Sequence, residues 1–446
     1  MRNLMIRKLD SKKAVIAVVG LGYVGLPTAT IFAEAGFKVI GADINSKVIE
    51  TVSSGKSHIK EPGLDELVRK NVKEGKLSAT TSVLEATKDA DVIILCVQTP
   101  LTKNKRPNLV YLEEACRTVA SGLSKGKLVV VQSTVPPRTT RDRIAPILEK
   151  ISGLRCGEKF WLAYCPERLT PGKSLKEFVE NSRIVGGYDA ESAEIASSLF
   201  KTVVRGEIFV TDSVVAEVAK LSENAFRDVN IAFANELALI CERIGVDVMK
   251  VITLANTHPR VSIHTPGCGV GGPCLPKDPF LLLSPVKKGK FESKVVEPSR
   301  RLNETMPLHT VRLIIGALKK VAKSVGSSKI AILGVAYKGN VDDARNSPAE
   351  KIIRELTRLG ARVVVYDPYC NESFGAGSAK SIEEAAMDAD CLVITTDHEQ
   401  FRHIKLGSIK TLMKGKPVIV DGKRLLEAEA VKRENFDYYG IGYGLN

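Results

Sequence analysis

From position 14 the chain reads AVIAVVG, an unbroken apolar run rich in Val and Ile, which predicts a strand buried on both faces. YVGLPTATIFAEAG follows with apolar residues at helical spacing and stops at Gly36, and FKVIGAD predicts a second strand ending at Asp43. DVIILCV (91–97) and KLVVVQST (127–134) predict further strands, with helical patterns between them. Strand-helix alternation of this kind implies a parallel, doubly wound sheet.

The pattern changes near Thr211. DSVVAEVAKLSENAFRDVNIAFANELALICERIG runs for more than thirty residues at helical spacing without a proline, and Gly245 is its natural stop. Helical periodicity returns from about Val295 to Ser324, so the middle of the chain reads as all-helical. KIAILGVA then predicts a strand, SPAEKIIRELTRLG a helix with Ser347 as N-cap and Pro348 at its first position, and ARVVVYD another strand. AGFKVIGAD and LGARVVVYD both place an Asp seven residues after a helix-ending glycine. The turns differ: the first is Gly20-x-Gly22-x-x-Gly25, the second the longer, charged GVAYKGNVDDARN. The expected fold class is α/β, with two Rossmann-like doubly wound domains joined by a central all-helical domain with a long helix. The expected division is 1–205, 206–325 and 326–446.

The 446 residues exceed what one core holds. A net charge of +14 favours anionic partners, either nucleic acid or phosphorylated small molecules. The lysines are scattered and aromatics make up only 5%, so the basic tract or aromatic platform of a nucleic-acid binder is missing and no nucleic-acid partner is expected. Nine cysteines without framework spacing or a CxxC pair suggest free thiols in a reducing cytoplasm. Basic residues before the first apolar run imitate a signal peptide or membrane anchor. That run holds four glycines and a proline and divides into strand, turn and helix, so no membrane association is expected.

The glycine fingerprint follows a predicted strand and opens a predicted helix, and an acid ends the next strand. In that setting Gly20, Gly22 and Gly25 permit a tight turn and close approach of a pyrophosphate to the helix N-terminus. Asp43 suits both ribose hydroxyls and repels a 2′-phosphate, which favours NAD over NADP. A flavin dinucleotide is the other ligand such a turn takes, but no flavin-specific feature is present. The alternative is that these glycines serve helix-strand packing alone.

GVGGPCLPKDP sets Cys274 between a glycine cluster and a Pro-Lys-Asp turn. Most cysteines are inert core residues, but the glycine and proline setting argues against burial here, and Lys277 is a nearby cation that favours a thiolate. A metal is not expected: His264, Cys268 and Cys274 have no matching second pair. A nicotinamide and a thiolate together suggest oxidation of an alcohol to an aldehyde, capture as a thiohemiacetal, a second oxidation to a thioester, and hydrolysis to an acid. That route needs a base, a cation for the oxyanion and a carboxylate to handle water. Lys220 and Asn224, four apart, share one face of the long helix.

These residues resemble the UDP-glucose/GDP-mannose dehydrogenases, from roughly Lys13 to Leu426. The motifs that carry the resemblance are GLGYVGLP, CVQTP, QSTVPP, YCPERL, AKLSENAFRDVNIAFANELA, HPRVSIHTPGCGVGGPCLPKD and LGVAYKGNVDDARNSP. The resemblance implies NAD-dependent, four-electron oxidation of a nucleotide-sugar C6 alcohol. It implies Cys274 as nucleophile, Lys220 at the oxyanion, Asn224 holding water or the reacting sugar, Asp278 near the catalytic water, Glu167 as base in thioester hydrolysis and Thr134 positioning water near the nicotinamide. Gly20, Gly22, Tyr23, Val24, Gly25, Asp43, Thr99, Thr134 and Arg345 would hold the cofactor. Glu167, Arg168, Leu169, Lys220, Asn224, Gly271 and Lys338 would hold the UDP-sugar, with Arg260 donated to the partner subunit of a homodimer built on the long helices. HPRV and TPG-x-GVGG resemble the subfamily acting on UDP-N-acetylhexosamines, while Pro273 and LPKD depart from the GGHCIxVD often found there. The expected substrate is UDP-N-acetylmannosamine, ahead of UDP-N-acetylglucosamine and UDP-glucose. A two-electron 3-hydroxyacid-type dehydrogenase would need no such cysteine and would leave residues from about 327 onward without a role. A non-catalytic NAD- or nucleic-acid-binding protein has only the charge in its favour.

Overall fold

The structure is a computed structural model that describes residues 1–286 and 291–444. The chain folds as two compact units, Met1–Glu223 with Phe280–Phe291, and Asn224–Pro279 with Glu292–Asn446.

The first unit is built on an eight-stranded sheet. Its strands are β1 Val15–Val19, β2 Lys38–Ala42, β3 Leu77–Thr80, β4 Val92–Leu95, β5 Leu128–Val131, β6 Trp161–Tyr164, β7 Arg183–Gly187 and β8 Ile208–Asp212, in the order β3-β2-β1-β4-β5-β6-β7-β8. Every pairing is parallel except β6 with β7. The apolar runs at β1, β4 and β5 are closed to solvent because helices cover both faces. The Gly25–Glu34 helix contributes Phe32, which meets the rings of Phe37 and Phe178 edge-on at 5.9 and 6.2 Å. The basic N-terminal segment is a helix, Arg2–Asp10, whose Met5 and Leu9 enter this core. β4 and β5 end sooner than the apolar pattern predicts, at Leu95 and Val131, because Gln132 N–H and the Ser133 hydroxyl turn back to Leu95 O and Val97 O. Those early ends open loops at the carboxyl edge of the sheet, where ligands bind in such folds.

The second unit carries a six-stranded, all-parallel sheet: β9 Lys329–Leu333, β10 Arg362–Tyr366, β11 Gly377–Ser378, β12 Cys391–Ile394, β13 Val418–Asp421 and β14 Asp437–Gly440. Its order, β11-β10-β9-β12-β13-β14, repeats the order of the first six strands of the other sheet. Ser347 caps the Pro348–Arg358 helix by accepting Ala349 N–H, as the Ser-Pro pair predicts. The long helix spans Ser213–Ile244 and ends at Gly245, whose φ of +83° few other residues tolerate. Its Ala234, Ala238 and Cys241 share one core with Met306, Ile314 and Leu318 of the Val296–Lys320 helix and with Ile330 and Ile352 beneath the sheet. Among the described residues no helix is long and apolar enough to cross a membrane.

Candidate active site

β1 delivers the chain into the Gly20–Gly25 turn at the sheet edge. Gly20 has φ +90°, and a Cβ there would sit 2.9 Å from the Cys96 carbonyl oxygen. A Cβ on Gly25 would lie 1.7 Å from Gly20 O, so strand and helix meet too closely for any side chain. Gly22 is different, since a Cβ there would meet nothing within 4 Å. Its freedom is not needed by the protein's own packing, and it leaves the turn bare where a pyrophosphate would lie. Asp43 is fixed from both sides, Oδ2 accepting Leu21 N–H at 2.8 Å and Oδ1 accepting Asn45 N–H at 2.9 Å. Tyr23 is exposed beside the turn, and Val24 occupies the helix N-cap without a side-chain cap bond, leaving the helix N-terminus to a ligand. The buried Thr99 donates its hydroxyl to Thr134 O at 2.6 Å, tying the CVQTP and QSTVPP loops together. These features fit NAD, with Asp43 placed for an unphosphorylated ribose.

In the same unit, Glu167 lies just beyond β6. Its Oε2 accepts Leu169 N–H at 2.8 Å, and its Oε1 stands 3.3 Å from Lys220 Nζ on the long helix. The two side chains are only 12% and 6% exposed, so the pair is largely desolvated and its field is strong. Arg168 bends away: its guanidinium is bound by Glu223 and by Ser182 O. Leu169 is half-buried against the core.

In the second unit, Asn224 donates Nδ2 to Asp278 Oδ2 at 2.6 Å, and both side chains are buried. Cys274 O accepts both Lys277 N–H and Asp278 N–H at 2.9 Å, so the Pro-Lys-Asp turn folds back on the cysteine. Lys277 Nζ lies 3.8 Å from Asp278 Oδ1. The loop before the cysteine is pressed onto its neighbours. A Cβ on Gly271 would come within 2.7 Å of Asn346 O, and one on Gly272, at φ +90°, within 2.7 Å of the Tyr337 ring. Gly272 N–H donates to Arg345 O and Asn346 Nδ2 donates to Gly272 O. The glycines around Cys274 thus serve close docking against the turn that carries Lys338 and Arg345. Lys338 and Arg260 are exposed, and the Arg345 guanidinium is paired with Asp343 at 2.6 Å.

All nine cysteines are free thiols. Seven are buried, and only Cys96 and Cys274 are partly exposed. Although the residue as a whole is partly exposed, the Cys96 sulfur is enclosed: it donates to Gln132 Oε1 at 3.2 Å, and its desolvation pushes the thiol pKa far up. Cys274 is the remaining candidate for a nucleophile.

The second half-fold has its own acid at the equivalent place, but that acid is closed off. Asp367 Oδ2 accepts Val335 N–H, Ala336 N–H and His398 Nε2, while Oδ1 accepts Tyr369 N–H and Cys370 N–H. Burial alone would raise its pKa, but His398 and the backbone donors outweigh that and hold it at about 2. Five donors occupy its two oxygens, so it is not open to a ribose as Asp43 is. Two residues escaped the sequence reading, Glu217 and His398. Both act through chain segments distant in sequence, and neither sits in a recognisable motif.

Three family models cover the chain in order. They are the NAD binding domain (residues 14–204), central domain (214–305) and UDP binding domain (331–428) of the UDP-glucose/GDP-mannose dehydrogenase family. The chain belongs to the UDP-glucose/GDP-mannose dehydrogenase family. As in this family, it is an NAD-dependent nucleotide-sugar dehydrogenase. It is 46% identical over 429 residues to a UDP-N-acetyl-D-mannosamine dehydrogenase of Pyrococcus horikoshii, covering 96% of this chain and 99% of that one. A solved structure of the UDP-D-ManNAc dehydrogenase from the same organism superposes with a TM-score of 0.91 at 46% identity, covering 97% of this chain and all of that one. An NDP-N-acetyl-D-galactosaminuronic acid dehydrogenase from Methanosarcina mazei superposes at 0.87 with 36% identity, covering 99% and 98%.

Proposed function

We propose that this dehydrogenase oxidises C6 of a UDP-N-acetylhexosamine to a carboxylate, with UDP-N-acetyl-D-mannosamine as substrate and two NAD consumed per sugar. The observation that carries the reading is Cys274, a partly exposed thiol in a close-docked glycine loop, on the same turn as Asp278, which Asn224 of the long helix holds by a hydrogen bond. The choice of sugar is supported by the names borne by full-length relatives at up to 46% identity.

When bound, NAD would supply the hydride acceptor for each of two oxidations. The residues of this chain do the rest. The first oxidation turns the C6 alcohol into an aldehyde, and Cys274 Sγ adds to it as a thiohemiacetal, so the aldehyde never leaves. Lys220 stabilises the oxygen anion that forms, and its partner Glu167 keeps that ammonium in place. The second oxidation leaves a thioester, which water hydrolyses with Glu167 as base; Asn224, Asp278 and Thr134 orient the water. Arg168, Leu169, Gly271 and Lys338 complete the substrate site, Lys338 at the nucleotide sugar.

The long helix presents Phe226, Phe233, Ile240 and Ile244 to solvent, 66%, 52%, 46% and 68% exposed, spaced seven, seven and four residues apart. That is the spacing a helix-pair seam uses, and we assign it to a homodimer in which Arg260 serves the partner's sugar site. The functional division is 1–205 for the cofactor, 206–325 for dimerisation and the cysteine loop, and 326–446 for UDP. Nine free thiols suit the cytoplasm.

Initial rates of NADH formation with UDP-N-acetylmannosamine, UDP-N-acetylglucosamine, UDP-glucose and GDP-mannose test the sugar. The first is expected to give the highest kcat/KM, and a higher value for any other sugar refutes the assignment.

A further inference from the structure

The turn that follows β5 carries Thr134 and then runs through Pro136, Pro137 and Arg138 into a single π-helical turn at Thr140–Ile144. Arg138 has φ +71°, a left-handed conformation that a non-glycine residue takes only when its surroundings hold it there. Its side chain reaches outward to Asp142 at 2.6 Å and does not explain the backbone. The backbone is held from below. Glu217, fully buried in the second turn of the long helix, accepts Arg138 N–H on Oε2 at 2.6 Å and Thr140 N–H on Oε1 at 2.7 Å. One carboxylate thus uses both oxygens to fix two alternate amides of a strained turn. At its other end the turn is tied by Thr99 to Thr134 O and by Ser133 to Val97 O.

We propose that Glu217 is a positioning residue for the catalytic turn: it latches Arg138 and Thr140 to the helix that bears Lys220, and so sets the place of Thr134. The proposal rests on the reading above that Thr134 serves the reaction. Stability is not what the carboxylate supplies. Burial pushes its pKa up to about 7 in spite of both backbone donors, with Asp142 adding repulsion, so the ionised group is held at a cost to the folded state. Glutamine has the same shape but only one acceptor, and its NH2 would face an N–H that needs one.

The test is Glu217→Gln, read in three ways at pH 8. Turnover is expected to fall about tenfold, as for loss of one bond to a charged group, with KM for the UDP-sugar unchanged. Hydrogen exchange at the amides of Arg138 and Thr140, in protein free of ligands, is expected to quicken about tenfold. The melting temperature is expected to stay at or above that of wild type. Wild-type exchange at both amides overturns the latch whatever the enzyme's substrate. Wild-type turnover overturns its link to catalysis, and a lower melting temperature or failure to fold overturns the division between geometry and stability. Arg138→Gly supplies a second variant, because glycine takes the left-handed conformation freely. In that background Glu217→Gln should cost only about threefold in turnover, and an equal loss in both backgrounds contradicts the proposal.

Discussion

Lys220 Nζ faces Glu167 Oε1 at 3.3 Å inside the first unit, with both side chains almost closed to solvent. A pair so placed fixes the position of each partner. Removing the cation leaves a buried carboxylate uncompensated, at about 3–5 kcal/mol, and removes the group proposed to face the oxyanion. Lys220→Ala is expected to lower kcat at least about 100-fold, and Lys220→Arg is not expected to restore it, because a planar fork cannot take the place of a point charge. Steady-state kinetics with circular dichroism on both variants checks this.

The fingerprint glycines separate packing from ligand space. Gly25→Ala forces a clash with Gly20 O and should destabilise the fold, seen as a lower melting temperature. Gly22→Ala meets open space, so its melting temperature should match wild type while NAD affinity by calorimetry falls at least about tenfold. Undiminished affinity in Gly22→Ala would contradict the placement of the pyrophosphate.

Asp367 and Glu217 give opposite dependences on pH. The depressed pKa of Asp367 adds stability that is present above its ordinary value of 3.8 and is lost as pH falls through about 2, roughly 2 kcal/mol in all. Glu217 is the reverse case. Its pKa is raised from 4.5 to about 7, so its contribution is full below pH 4.5 and is lost as pH rises through 7. Denaturant unfolding of wild type and Glu217→Gln at pH 5 and pH 8 should therefore move in favour of the variant by about 2.5 kcal/mol as pH rises. A difference that does not change with pH contradicts the burial of that charge.

The exposed seam on the long helix makes its own prediction. Phe233→Glu puts a charge in the middle of the Phe226–Phe233–Ile240 row and should yield a monomer by light scattering, with the far-UV circular dichroism of wild type. A wild-type particle mass would place any interface elsewhere.

Much of the fold was legible in the sequence because its signals are local. β1, β2, β9 and β10 are short apolar runs bounded by glycine and aspartate, and the long helix is an uninterrupted period that stops at Gly245. The Ser347-Pro348 start of a helix is likewise written in adjacent residues. The antiparallel pairing of β6 with β7 was not legible, since strand direction is set by connections that carry no periodic signal. The Cys274 turn was legible as a glycine-proline loop, but the reason for its glycines, contact with Tyr337 and Asn346, lies more than sixty residues away. Glu217 was invisible for the same cause. In the sequence it is one acid on a helix, and only the fold brings the amides of Arg138 and Thr140 onto it from 79 and 77 residues away.

The proposed covalent role of Cys274 is tested most directly by counting NADH formed from a limiting, known amount of UDP-N-acetylmannosamine driven to completion. Two NADH and one uronate per sugar, with no free aldehyde at any time, is the expected result. One NADH per sugar, or a Cys274→Ala enzyme that still forms two, would contradict it.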